Sequence, residues 1–201
     1  MPPSSIIFGM KKPICFRLAG FVMVLLVLSN AAPAQQAMEQ TISPSRPIPA
    51  GKAPGMQVKL LKDAPDEKEY AVIFRNGDEA LSGLVDFARQ YKVGDAHFTA
   101  IGAVSSATLG WLDLSRKVYV AIPVKEQVEV VSLVGDIATF QDKPVVHMHC
   151  VLAKRTGETV GGHVWELNVN PTLEVFVTVN QTPLKKRPDE ASGMKLIDPA
   201  Q

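Results

Sequence analysis

Hydrophobic residues recur along this chain with two different periods, and the two predict different elements. Leu81, Leu84, Val85 and Ala88 fall at i, i+3, i+4 and i+7, the spacing that gathers side chains on one face of a helix. Asp78 precedes this stripe as the N-cap and Gly94 follows its last turn, so a helix is predicted over residues 79–91. Gly83 inside it costs up to about 1 kcal/mol relative to alanine, a cost that a close approach to a neighbouring strand would explain. Elsewhere the apolar residues come in short runs rich in Val and Ile, bounded by polar, Gly or Pro positions. These read as strands over residues 56–61, 70–74, 97–101, 107–112, 118–124, 128–134, 145–153, 159–167 and 172–179. Asn76-Gly77 and Ser115-Arg116 mark turns between neighbours. Consecutive strands with short links pair antiparallel, so the expected fold class is α+β: a central, mainly antiparallel sheet with one principal helix packed on it.

Several strands are apolar on nearly every residue, as in Val128-Glu129-Val130-Val131-Ser132-Leu133-Val134 and Val175-Phe176-Val177-Thr178-Val179. A small sheet with one helix cannot cover both faces of so many, and part of that surface is expected to lie between subunits.

The ends of the chain read differently from its middle. Lys11, Lys12 and Arg17 stand ahead of an apolar run over residues 18–28, followed by Ala32-Pro33-Ala34. A charged segment, an apolar stretch too short to span a bilayer comfortably and a small-x-small site describe a secretory signal peptide over residues 1–34, cleaved after Ala34. A retained anchor and a start at Met10 stay open as alternatives. A periplasmic or secreted protein, with no stable membrane span after cleavage, is the expectation. Residues 35–55 are polar and rich in Pro, Ser, Ala and Gln, a disordered linker by composition. One domain is expected over residues 56–180, then a loosely ordered tail over residues 181–201 whose Met194, Leu196 and Ile197 can pack back onto it.

Removing residues 1–34 takes away three basic and no acidic side chains, which carries the formal charge from +1 to −2. That balance disfavours nucleic acid as a partner, since phosphate neutralisation needs a basic surface. Lys185-Lys186-Arg187-Pro188 is followed at once by Asp189 and Glu190 and reads as a solvated run. Only Cys150 survives cleavage, so no internal disulfide is available and the domain must be held by its core.

The chemistry sits in two short segments, Val145-Val146-His147-Met148-His149-Cys150 and Gly161-Gly162-His163-Val164. Alternation along a strand turns His147 and His149 to one face and Val146, Met148, Cys150 and Leu152 to the other. If Lys154 pairs with Glu158 across the intervening hairpin, His149 lies opposite His163 and three imidazoles converge. Neutral imidazole suits zinc, copper, iron and nickel, so His147, His149 and His163 are the candidate ligands of a divalent metal, zinc first. A one-residue bulge at Gly161-Gly162 would instead turn His163 away and leave an ordinary polar sheet face or a subunit contact. His97 opens a different strand, where it is either a fourth ligand or a solvated side chain. Trp165 shares the face of His163 as an apolar wall or as packing.

Read together, these segments resemble the plant and prokaryote conserved (PPC) domain family in its stand-alone bacterial form. The resemblance runs in order through Asn76-Gly77-Asp78-Glu79, Ile101-Gly102-Ala103-Val104, Leu109-Gly110-Trp111-Leu112-Asp113, Leu133-Val134-Gly135-Asp136-Ile137, His147-x-His149 and Gly161-Gly162-His163-Val164. It implies an antiparallel sheet assembled as a homotrimer, with His147, His149 and His163 close together. Ala100 stands where family members often carry glycine. The family's frequent description as DNA-binding gives nucleic-acid binding as an alternative function, against which stand the export signal, the negative charge after cleavage and the lack of an Arg-Gly-Arg-Pro minor-groove hook.

Two functions follow from one cluster. The first is a homotrimeric binding module holding a divalent metal, with a small ligand as a further partner. The second is a metal-dependent hydrolase, in which three histidines leave a metal-bound water and Glu166 or Glu174 acts as base. Alternation sends Glu166 to the face opposite His163, which makes Glu174 the better candidate for that role. No nucleophile elbow, phosphate loop or paired-carboxylate signature accompanies them.

Overall fold

The structure is a computed structural model describing residues 39–200; the signal peptide expected over residues 1–34 lies outside the described residues. In chain order the elements are β1 (Thr41–Ile42), β2 (Gln57–Asp63), β3 (Glu67–Arg75), α1 (Ala80–Gln90), β4 (Ala96–Asp113), β5 (Val118–Val124), β6 (Val128–Phe140), β7 (Lys143–Ala153), β8 (Thr159–Asn180), β9 (Lys186–Asp189) and β10 (Met194–Ile197). β1 to β8 form one antiparallel sheet in the order β1-β5-β4-β6-β7-β8-β3-β2, and a further pairing between β4 and β8 closes β4, β6, β7 and β8 into a ring. β9 and β10 make a separate hairpin.

The expected α+β class is corrected by this architecture. Strand accounts for 61% of the described residues and helix for 7%, so the domain is mostly β with a single short helix. Segments 97–101 and 107–112 are one strand of 18 residues, β4, and segments 159–167 and 172–179 are one of 22, β8. Gly102 and the run around Pro171 look like turns in the sequence. In the fold the pairing continues past both, and β4 and β8 absorb the irregularity as register shifts after Gly102, Val104 and Thr108.

The ring's interior is the core, where Phe98, Leu109, Leu133, Met148, Leu152 and Leu167 are fully buried. Helix α1 buries Leu81, Leu84, Val85 and Ala88, as its period requires, together with Phe87. Its N-cap is Glu79 rather than Asp78. One oxygen of Glu79 accepts from the Leu81 and Leu167 N–H groups at 3.1 and 3.0 Å and the other from Ser82 N at 2.7 Å, pinning the helix start to β8. Asp78, with its shorter side chain, instead accepts from the backbone of Arg75 and Gly55, both at 2.8 Å, and closes the turn before the helix. A Cβ on Gly83 would lie 2.3 Å from the Phe74 ring, so the glycine permits the helix–strand approach its position suggested.

Both flanking segments contact the domain. Within the segment read as a linker, Thr41–Ile42 pairs with Tyr119 and Val120 of β5, and Gly51 N donates to Asp86 at 2.7 Å. Within the segment read as a tail, the β9–β10 hairpin places Lys186 in the protein with its side chain 4% exposed. No helix among the described residues is long and apolar enough to cross a membrane.

Candidate metal centre

The hairpin that carries the histidines forms as the charge pattern at its tip suggests: Lys154 N donates to Glu158 O at 2.9 Å, and the register of β7 against β8 sets His149 directly opposite His163. The bulge that would have turned His163 away does not occur at Gly161-Gly162, where Cys150 and Val151 of β7 pair with consecutive residues. Gly162 allows the closeness, since a Cβ there would stand 2.8 Å from the Gly110 carbonyl oxygen of β4. On the opposite face of β7, Val146, Met148, Cys150 and Leu152 are all buried, and burial pushes the Cys150 thiol up to about 12.

His147, His149 and His163 each bring one ring nitrogen to within 4.8 Å of the other two. Their ring centroids are 5.1 to 5.4 Å apart. His147 Nε2 and His149 Nε2 lie 3.2 Å apart, close to the edge of about 3.3 Å that a tetrahedral zinc with bonds of 2.0–2.1 Å imposes on two ligand nitrogens. Asp136, directly across the β6–β7 pair from His147, holds its Nδ1 at 3.0 Å. A carboxylate can only accept, so Nδ1 carries the proton and Nε2 turns its lone pair to the cluster, the arrangement that steers a metal-binding imidazole. Burial raises the Asp136 pKa, but the bond from His147 and the Lys186 ammonium at 2.9 Å outweigh it and hold the group below the usual carboxylate value.

The other two rings are kept neutral. Burial, then the neighbouring His147 and His149, then Lys186 depress the His163 pKa to about 3; burial and then His147 lower that of His149. The buried Nδ1 of His163 has no hydrogen-bond partner in the protein. Three imidazoles whose nitrogens face one another, two of them held below the usual histidine pKa and one of these with a buried unpaired nitrogen, fit a divalent cation, to which they offer lone pairs.

An aromatic wall stands behind His163. Tyr119 stacks on it at 4.6 Å and Trp165 lies at 5.0 Å, so Trp165 shares the cluster's face as its position predicts. Tyr119, Trp165 and Ile42 form a small apolar cluster of their own. His97 is placed opposite Asp136 on β4 but is exposed and outside the group of converging nitrogens. Glu166 engages Asn168 at 3.1 Å. Glu174 faces Ile101 and Ile73, eleven residues along β8 from His163 and roughly 36 Å of strand away. Neither carboxylate joins the cluster, so neither Glu166 nor Glu174 stands where the hydrolase reading put its base.

Sequence reasoning missed Asp136, Lys186 and Tyr119. Asp136 follows from the β6–β7 turn, where Gln141 and Asp142 alone join the strands, both at positive φ, but no glycine marks that turn in the sequence. Counting outward from that two-residue turn sets Asp136 against His147. The sequence reads Lys186 as part of a solvated basic run; the structure buries its side chain, and that burial depends on a separate hairpin.

With the geometry in place, the comparisons with known proteins decide the family. The profile of the Plants and Prokaryotes Conserved (PCC) domain matches residues 62–181, more than half the chain. The chain belongs to the Plants and Prokaryotes Conserved family. Solved structures agree. A metal-containing protein from Archaeoglobus fulgidus is 29% identical, with a TM-score of 0.61 over 71% of this chain and 97% of its own. A protein from Ralstonia eutropha, provisionally described as DNA-binding, is 30% identical, with a TM-score of 0.63 over 70% and 95%. A PPC protein from Pyrococcus horikoshii shares the fold at 24% identity, with a TM-score of 0.62 over 71% and 94%. No curated protein matches the chain.

Proposed function

We propose that this PCC-domain protein is a homotrimeric binding module exported from the cytoplasm, in which His147, His149 and His163 hold one divalent metal, zinc by preference. The observation that carries this reading is the convergence of three ring nitrogens within 4.8 Å, with Asp136 fixing the tautomer of one of them. The Archaeoglobus relative, described as metal-containing, supports it. Zinc with three protein nitrogens keeps a position open for water or a ligand atom. The chain's own residues do the rest: Asp136 orients His147, burial keeps His163 unprotonated, and Tyr119 and Trp165 shield one side of the cluster from water.

Export rests on the charged, apolar and small-residue succession over residues 1–34. Assembly is supported by Ile101, Val131, Val134 and Phe176, large apolar side chains that are each half or more exposed on β4, β6 and β8. The description of the Ralstonia protein favours nucleic-acid binding as a second reading, against which stands the formal charge of −2 beyond residue 34.

Zinc titration by calorimetry on protein purified without chelators or a polyhistidine tag tests the metal assignment. About one zinc per chain is expected for the unmodified protein, with binding lost in His147→Ala. An unmodified protein that gives no heat with zinc, and carries no metal by elemental analysis, contradicts it.

A further inference from the structure

The histidine cluster sits at the mouth of a half-open cavity, with His149 exposed outside it. His147 and His163 stand in the wall of a cavity of about 710 Å³, a size typical of sites that enclose a small organic molecule. Much of its remaining wall comes from outside residues 62–181, the span that defines the family: residues 44–48 on the N-terminal side, Lys186 and Met194–Ile197 on the C-terminal side. The C-terminal part is tied down at several points. Thr139 N donates to Leu184 O at 2.8 Å, the Tyr119 hydroxyl meets Met194 Sδ at 3.6 Å, and Lys186 Nζ reaches Asp136.

The chemistry of the wall is two-sided. Ile48, Leu81, Val85, Val145 and Leu196 give it an apolar character. Its charged groups are Arg46, Arg89, Lys143, Lys186 and Lys195 against one carboxylate, Asp136. Two buried polar atoms of lining residues, His163 Nδ1 and Trp165 Nε1, find no partner in the protein. The Lys186 ammonium has three N–H donors to divide between Asp136 and anything else that enters.

We propose that the segments flanking the family domain convert the histidine cluster into a chamber for a small amphipathic carboxylate, its apolar body among the aliphatic wall and its anionic head at the end formed by His147, His163 and Lys186. A carboxylate suits this wall better than a phosphate, because the one buried cation is already shared with Asp136 and the remaining basic groups lie at exposed positions. The inference rests on the metal reading for part of the head's attraction, while the basic lining favours an anion without it.

The test is calorimetric titration of sodium octanoate into the full protein, zinc-loaded and dialysed in one arm and chelator-treated in the other. Acetate supplies a head without a body, and octan-1-ol a body without a charge. Octanoate is expected to bind at least about tenfold more tightly than either. Lys186→Met should weaken it by about tenfold or more, as should Ile197→Trp, which fills the chamber from a partly exposed strand and leaves every cation in place. Zinc uptake without octanoate binding overturns the chamber, as does equal octanoate affinity in the unmodified protein and Ile197→Trp, provided circular dichroism shows both folded. Octanoate binding by a protein that takes up no zinc supports the chamber and removes the metal reading instead.

Discussion

At the scale of single residues, the decisive contact is the one between Asp136 and His147. His147 is the ring whose proton position is set by a neighbour, at 3.0 Å from a carboxylate that also faces a buried ammonium. Asp136→Asn keeps the side-chain volume but removes the charge, so it loosens the His147 tautomer and leaves Lys186 without its counter-ion. Zinc affinity is expected to fall about 10- to 100-fold, the usual effect of losing a carboxylate behind a ligating histidine. Calorimetry of folded Asp136→Asn checks this, and an unchanged affinity would show that Asp136 serves Lys186 alone. Cys150 has no part in the site: it lies on the core face of β7 with a thiol raised to about 12.

At the scale of elements, the site is a consequence of strand register. β7 and β8 bring His149 and His163 face to face, and β6 brings Asp136 to His147. Gly162 lets β8 lie against β4, with its missing Cβ only 2.8 Å from the Gly110 carbonyl oxygen. Gly162→Ala must therefore displace backbone next to His163. It should cost about 1–3 kcal/mol, the range for overpacked positions, and weaken zinc binding as well. Urea denaturation and calorimetry on the same variant measure both; an unshifted midpoint would show that the strands can part at no cost. The histidine pairing was legible in the sequence because Lys154 and Glu158 flag the hairpin and period 2 fixes every side chain from there. The β6–β7 turn was not legible, because Gln141-Asp142 lacks the glycine that usually marks positive φ. β4 and β8 were read as pairs of short strands for the opposite reason: Gly102 and Pro171 resemble breaks, and only their bulged partners show that the pairing continues. Glu79 displaced Asp78 as the cap because it reaches both the helix and Leu167, a long-range contact that local pattern cannot contain.

At the scale of the whole molecule, a ring of four strands covers its interior and leaves Ile101, Val131, Val134 and Phe176 on the outside. Thr99 on β4 pairs with both Val134 and Phe176, and Val134 pairs with His149, so this apolar surface begins beside the histidine cluster. Sedimentation velocity is expected to give the mass of three chains for the unmodified protein and of one for Val134→Asp combined with Phe176→Asp. A monomeric unmodified protein would leave that surface unexplained. The claim on which the account depends is that the three rings close on one ion, and zinc-edge X-ray absorption of the loaded protein addresses it directly. Scattering from three imidazole nitrogens at about 2.0–2.1 Å is expected, with one lost in His163→Phe; a spectrum without imidazole scattering, or one that His163→Phe does not change, would contradict it.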